Sequence, residues 1–270
     1  MIRFVKAHAC GNDFLIVNAA EVNPKQQREV AVKLCARNTG VGADGVEYLE
    51  WTGERSGRIR LFNADGSVAE ISGNGTRCVA AWMAHEKKLG SGDNVVLETD
   101  AGPRKCRIVE ASGDRFQVAS QMGVPRFDLR AVRLIDDVIE GVAVSTGNPH
   151  FVIFVEDGSF TLHGRKWQEI GREICFHPDF PEQTNVEFVR VVDTNSIEIR
   201  IFERGVGPTT SSGTGTCASA VATISHRSGA EHLLVRAPGG EQQVVWHGGE
   251  SEILLTGPAE FIATGEAFGC

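Results

Sequence analysis

The chain repeats itself. Residues 62–81 (FNADGSVAEISGNGTRCVAA) lie on residues 202–221 (FERGVGPTTSSGTGTCASAV) at a constant offset of 140 positions, pairing Phe62 with Phe202, Ser72 with Ser212, Gly73 with Gly213 and Gly75 with Gly215. Gly11-Asn12 recurs as Gly147-Asn148 at an offset of 136, and a short apolar run follows each copy. A repeat spanning about half of a chain constrains the fold more tightly than any single motif, because both copies must build the same unit. The expected architecture is α+β, in two pseudo-symmetric domains. Each is a mainly antiparallel sheet or open barrel wrapped round a central helix. The expected boundaries are 1–122 and 123–270, with the C-terminal tail free to cross back to the first domain, and the paired turns meet in the cleft between domains.

The local patterns fill in this outline. Alternating segments at 58–62 and 196–202 read as strands that enter Gly-rich turns. A helix follows each turn, at about 75–89 and about 213–228; the first carries Val79, Trp82 and Met83 on one side and stops at Gly90. The second is built of small residues and has no charge before His226-Arg227, which marks a helix covered on most sides. Further short strands are expected at 95–97, 104–109, 115–119, 142–145, 151–155, 186–192, 233–236, 242–246 and 252–255.

Composition excludes several functions. Lys and Arg total 27 against 35 Asp and Glu, a net charge of −8, with no basic run, so nucleic acid and anionic membrane are not expected partners. No apolar stretch reaches the ~18 residues of a membrane span, and residues 1–20 lack the apolar core of a signal peptide, which points to the cytoplasm. The seven cysteines (10, 35, 78, 106, 175, 217 and 270) show no CxxC spacing and read as reduced, mostly buried thiols. The eight His show no metal spacing. Gly40-Val-Gly-Ala-Asp-Gly45 is no dinucleotide fingerprint, since no strand leads into it and no helix follows, and neither half carries a P-loop lysine.

Glycine makes up 31 of 270 residues and clusters at 10–14, 40–45, 72–75, 146–150 and 212–215 beside Asn, Ser and Thr. A Ser-Gly-X-Gly turn opening a helix offers unpaired backbone N–H groups and the positive end of the helix dipole, a ready site for a carboxylate or phosphate. The alternative for either turn alone is a capping serine with glycine for backbone freedom. As a related pair, the turns can bracket one small anion and present Ser72 and Ser212 from opposite sides. Asp65 and Glu70 flank Ser72 and read as partners of the helix dipole. His8 and His150 border the Gly-Asn turns, either as ligand-orienting groups or as ordinary hydrogen-bonded histidines.

Taken in order, the motifs resemble the diaminopimelate epimerase family over effectively the whole chain. They are Lys6-Ala-His8-Ala-Cys-Gly11-Asn12-Asp13-Phe14, Gly40 to Gly45, Phe62-Asn63-Ala-Asp65-Gly66-Ser67, Gly73-Asn74-Gly75-Thr-Arg77-Cys78, Gly147-Asn148-Pro149-His150, Thr184-Asn185-Val186-Glu187, Glu203-Arg204-Gly205-Val-Gly207 and Gly213-Thr214-Gly215. The resemblance implies an isomerase that interconverts LL- and meso-2,6-diaminoheptanedioate for lysine and peptidoglycan precursors, with a small amino-acid substrate, neither PLP nor metal, and a homodimeric state. In the family, two cysteines at helix N-termini exchange the α-proton across opposite faces of the α-carbon.

By position those cysteines correspond to Ser72 and Ser212. A hydroxyl is a far weaker acid than a thiol of pKa ~8.5 and needs a neighbouring base. Three readings stand at this point: an engineered Cys-to-Ser form, a natural form whose serines are activated by neighbours, and a homologue that binds without epimerising. A racemase or dehydratase of another amino acid is the further alternative. Cys78 and Cys217 fall about one and a half turns into the helices and are expected in the core.

The resemblance also implies that Asn12, Asn63, Asn148, Asn185 and Arg204 contact substrate, with Arg204 and the latter three asparagines gripping its distal amino-acid end. Glu203 is the implied acceptor for the reacting ammonium. Gly73, Asn74, Gly213 and Thr214 supply N–H groups to the α-carboxylate.

Overall fold

In a computed structural model the described residues are 1–268, so Cys270 lies outside them. The chain divides into two compact units, Met1–Gln121 together with the segment from Thr256, and Met122–Leu255. The segment from Thr256 thus groups with the first unit, and Met122–Leu255 forms the second. The C-terminal strand Leu254–Ala267 supplies the reason, for it pairs antiparallel with the N-terminal strand and also with Arg115–Gln121. It replaces the short strand expected at 252–255.

The first unit contains β1 (Ile2–Ala9), β2 (Asn12–Asn18), α1 (Gln27–Cys35), β3 (Gly45–Trp51), β4 (Ser56–Asn63), β5 (Val68–Ala69), α2 (Gly73–Glu86), β6 (Asn94–Thr99), β7 (Gly102–Ser112) and β8 (Arg115–Gln121). Pairing runs β1–β2 antiparallel, β2–β3 parallel, β3–β4 antiparallel, β4–β6 parallel, then antiparallel through β7 to β8. The C-terminal strand joins β8 back to β1, so eight strands close into a ring with no free edge. Helix α2 packs against β1, β2, β3, β6, β7 and β8, which places it inside that ring.

The second unit contains β9 (Arg126–Arg133), β10 (Val138–Ser145), β11 (Pro149–Val155), β12 (Thr161–Leu162), β13 (Arg165–Lys166), α3 (Trp167–Cys175), β14 (Asn185–Asp193), β15 (Ser196–Glu203), β16 (Gly207–Thr209), α4 (Gly213–His226), β17 (His232–Ala237) and β18 (Gly240–Val245). It repeats the pairing order: β10–β11 antiparallel, β11–β14 parallel, β14–β15 antiparallel, β15–β17 parallel, β17–β18 antiparallel. The ladder registers match too. Gly45 faces Phe14 in the first unit, and Asn185, 140 positions later, faces His150 in the second.

Each unit has two cores because its middle strands are covered on both faces. Inside the first ring, Cys78, Val79, Ala80, Ala81, Met83 and Ala84 of α2 meet Phe14, Leu49, Leu61, Leu97 and Ile108. On the outer face, α1 covers Leu15, Val17, Val46 and Tyr48. In the second unit α4 contributes Cys217, Ala218, Ala220, Val221 and Ala222 to the inner core, while α3 covers Phe151, Phe188 and Phe202 outside. The small side chains of α2 and α4 are what allow a helix to lie so close to surrounding strands. All six described cysteines are buried, and among the described residues no helix is long and apolar enough to cross a membrane.

Helices α1 and α3 were not expected. Neither has a side-chain cap at its start, where Gln26 and Lys166 stand. Met83→Ala tests the inner core. Removing a fully buried side chain from α2 leaves a cavity that the strand ring cannot collapse around, so urea denaturation should show a loss of about 2–5 kcal/mol.

Candidate active site

Both expected serines begin the central helices. Ser72 is extended (φ −124°, ψ 121°) and its Oγ accepts the Gly75 N–H at 3.0 Å, while Ser212 (φ −146°, ψ 127°) accepts the Gly215 N–H at 3.2 Å. Each is thus an N-cap, satisfying one of the N–H groups that a helix start leaves without an internal partner. The dipoles of two 14-residue helices therefore end, positive end first, at Ser72-Gly73-Asn74 and Ser212-Gly213-Thr214.

In the first unit a chain of hydrogen bonds fixes the residues round Ser72. The guanidinium of Arg77, fully buried, donates to Gly73 O at 3.1 Å and to Asn74 Oδ1 at 2.6 Å. Asn74 Oδ1 is thereby committed as an acceptor, so Nδ2 donates to Asn12 Oδ1 at 3.1 Å and Asn12 Nδ2 donates to Asp44 Oδ2 at 2.7 Å. Arg37 closes the chain on Asp44 Oδ1 at 2.7 Å. Asn12, Gly73 and Asn74 thus gather at Ser72.

Asn63 ends β4 and donates to Ser67 Oγ at 2.9 Å. Asp65, expected as a partner of the helix dipole, instead accepts both the N–H and the hydroxyl of Ser67, at 2.8 and 2.6 Å. These bonds hold its carboxyl below the usual range. It closes a turn because its side chain reaches its own backbone two residues on before it can reach the helix.

In the second unit the chain runs through histidine. Asn148 Nδ2 donates to Thr214 Oγ1 at 3.3 Å, and its Oδ1 lies 3.0 Å from His150 Nε2. The carbonyl oxygen can only accept, so Nε2 carries a hydrogen. His150 Nδ1 lies 2.8 Å from Glu187 Oε1, with both side chains fully buried. One proton therefore serves that contact, on either the imidazole or the carboxyl. His8 differs: it is half-buried and its Nδ1 accepts the Gly11 N–H at 3.4 Å, a turn contact.

Asn185 and Arg204 also meet. The Arg204 N–H donates to Asn185 Oδ1 at 2.9 Å, Asn185 Nδ2 donates to Pro149 O at 3.1 Å, and the exposed Arg204 guanidinium donates to Glu182 O at 2.9 Å. Glu203 is half-buried at the end of β15, where Gly205 (φ +78°) and Gly207 (φ +93°) turn the chain. Among the described residues no three His, Cys, Asp or Glu side chains converge as metal ligands.

One charged residue at the first half-site was missed in the sequence. Glu47, in β3, is fully buried, and neither carboxyl oxygen has a hydrogen-bond partner. Its oxygen Oε1 presses on Gly75, where an added Cβ would fall 2.0 Å away. Glu187 holds the same relation to Gly215, at 2.7 Å. The two glutamates are offset by 140 positions, the repeat's own register, and that was the signal to look for.

Burial pushes the Glu47 carboxyl from the ordinary 4.5 up to about 8. The folded state therefore binds more protons than the unfolded state between those values. The stabilising proton is fully retained below pH ~4.5 and its contribution is lost as pH rises through ~8, at about 1.4 kcal/mol per pH unit. Glu47→Gln, which cannot ionise, should become progressively more stable relative to the unmodified chain over that interval. Urea unfolding of both proteins at pH 5, 7 and 9 measures the difference; a constant gap would refute the assignment.

Comparison with known proteins identifies the family. The diaminopimelate epimerase family model matches residues 4–127 and 142–262. The chain is 37% identical to the diaminopimelate epimerase of Halothermothrix orenii over 98% of this chain and 97% of that protein, and 35% identical to that of Moorella thermoacetica over 98% and 99%. Among solved structures, a predicted epimerase from Pseudomonas aeruginosa superposes with a TM-score of 0.77 at 14% identity, covering 100% of both chains. A hydroxyproline epimerase from Agrobacterium vitis does so with a TM-score of 0.69 at 18% identity, covering 98% of this chain and 91% of that one. With its duplicated serine-capped helices and full-length sequence match, this chain belongs to the diaminopimelate epimerase family, whose members are cofactor-independent amino-acid epimerases.

Proposed function

We propose that the chain interconverts LL- and meso-2,6-diaminoheptanedioate, with Ser72 and Ser212 addressing opposite faces of one α-carbon. The observation that carries this reading is the duplication itself: two buried helix N-termini, each opened by a serine and backed by a buried carboxyl. Each half-site supplies one acid–base group to a single substrate.

The α-carboxylate takes N–H groups from Gly73, Asn74, Gly213 and Thr214, which stabilise the charge that spreads into it as the α-proton leaves. Glu203 receives the reacting ammonium. Asn12, Asn63, Asn148 and Asn185 bind polar substrate atoms, and Arg204 pairs bidentately with the distal carboxylate. His150 orients Asn148 through the 3.0 Å contact already described. The setting is cytoplasmic and the working form a homodimer, on the family's pattern.

A second reading has its own support. Both serine oxygens already accept a helix N–H, and a hydroxyl alone is too weak an acid–base group for this step. A chain that binds the amino acid without epimerising it would look the same.

NMR of α-proton exchange in heavy water separates the two. Both isomers should incorporate deuterium, and Ser72→Ala and Ser212→Ala should each slow incorporation by about 100-fold or more. Binding without incorporation would favour the second reading, and absence of binding would remove the substrate. Arg204→Ala should raise KM at least ~10-fold with a smaller change in kcat, because its contact is made equally in ground and transition states.

A further inference from the structure

Glu47 has no structural partner to account for it. Its ladder neighbours are Ile16 on β2 and Leu61 on β4, and both carboxyl oxygens lack hydrogen bonds. On α2 the facing residue is Gly75, and the ionisable groups of that helix nearby are Arg77 and Cys78. The Arg77 guanidinium is engaged by Gly73 and Asn74, and the Cys78 thiol is pushed up by burial, with the Glu47 charge adding to the effect.

Gly75 leaves open the space between Glu47 and the serine. A Cβ on residue 75 would lie 2.0 Å from Glu47 Oε1 and 3.3 Å from Ser72 Cβ, so carboxyl and serine border the same gap. The Ser72 oxygen accepts the Gly75 N–H, and its own proton has no acceptor among the described residues. The second unit repeats the gap, although there Ser212 Oγ also lies 3.4 Å from Thr214 Oγ1. A Cβ on residue 215 would lie 2.7 Å from Glu187 Oε1 and 3.3 Å from Ser212 Oγ, and there the carboxyl is joined to His150.

We propose that Glu47 is the proton-holding partner of Ser72, as the Glu187–His150 pair is of Ser212, each acting through its serine. The inference rests on the epimerase reading above. In the step, the substrate Cα–H bond breaks and its electron pair stays on carbon, spreading into the α-carboxylate. That hydrogen joins Ser72 Oγ as the Ser72 hydroxyl proton passes to the Glu47 carboxylate. On the opposite face Ser212 gives its proton to the carbon and recovers one from the Glu187–His150 pair. Glu47 ends one proton richer and the pair one poorer, and the reverse turnover or exchange with water restores both.

Burial lifts Glu47 to about 8, close to the ~8.5 of a free thiol, so this carboxyl is poised where an acid–base group works best. It supplies what a serine lacks.

The test is a cycle of Glu47→Gln in two backgrounds, the unmodified chain and the form carrying Ser72→Cys with Ser212→Cys, followed by α-proton exchange and substrate binding. In the unmodified background kcat should fall about 100-fold with KM within about twofold, and the rise of kcat with pH through about 8 should vanish. In the cysteine background, where the thiol holds its own proton, the loss should stay below about threefold. Equal losses in both backgrounds, or none in the unmodified one, would overturn the proposal while leaving the epimerase reading intact. Exchange by the cysteine form alone would overturn the serine chemistry and this proposal with it. Carboxyl 13C NMR of Glu47 in the unmodified chain supplies a readout without activity: titration in the ordinary carboxylate range near ~4.3 would also overturn it.

Discussion

Taking the start of a helix out of water is the constraint on which each unit turns. A helix start leaves its first N–H groups without internal partners, and strands wrapped round the helix limit the water that could meet them. Ser72 and Ser212 each satisfy one such group. The start of β2 and the residue before β11 are then tied to the helix starts by Asn12 to Asn74 and by Asn148 to Thr214. The many small side chains of α2 and α4 follow from the same demand, because Gly, Ala, Ser, Thr, Cys and Val let strands approach closely, with Arg77 and Met83 the large buried exceptions on α2. Cys78 and Cys217 belong to this packing; both are fully buried.

The repeat is faithful in backbone and unequal in chemistry. The ladder position that holds His150 in the second unit holds Phe14 in the first. An imidazole there can share a proton with Glu187, whereas a phenyl ring leaves Glu47 with nothing to bond. A buried carboxylate without a partner is strongly disfavoured, so Glu47 stays protonated until the pH approaches its raised value. One substitution between copies thus turns a hydrogen-bonded pair into a lone acid, without disturbing the fold around it.

What the sequence disclosed follows the same physics. The strand-turn-helix segments were legible because Ser-Gly-X-Gly has few uses other than opening a helix, and the observed α2 and α4 start at Gly73 and Gly213. Helix α3 was not, although Ile170, Gly171, Ile174 and Cys175 form a buried face at helical spacing. A four-position stripe bounded by Lys166 and Phe176 carries no start or stop signal. Glu47 escaped for a different reason. β3 is buried on both faces over Gly45 to Leu49, so it lacks the alternation that would reveal which way a polar residue points, and a glutamate in such a run reads as solvent-facing. Asn148, Asn185 and His150 could be grouped from their motifs, but the hydrogen bonds that orient them join residues up to 66 positions apart and had to be seen.

The choice of oxygen over sulfur at the two helix starts pulls stability and reactivity in opposite directions. A hydroxyl is a strong N-cap acceptor, worth about 0.5–2 kcal/mol over a residue that cannot cap. A thiol is a poor acceptor but a useful acid, and a helix N-terminus makes it a better one. With serine, the dipole favours an alkoxide in the same sense, yet the hydroxyl starts so much higher that a helix terminus alone cannot bring it into range. Under the proposed epimerase reading, the acid–base demand passes to whatever titratable group stands behind the serine. In this chain that group is a glutamate in both units, set against a glycine whose missing side chain leaves room for it.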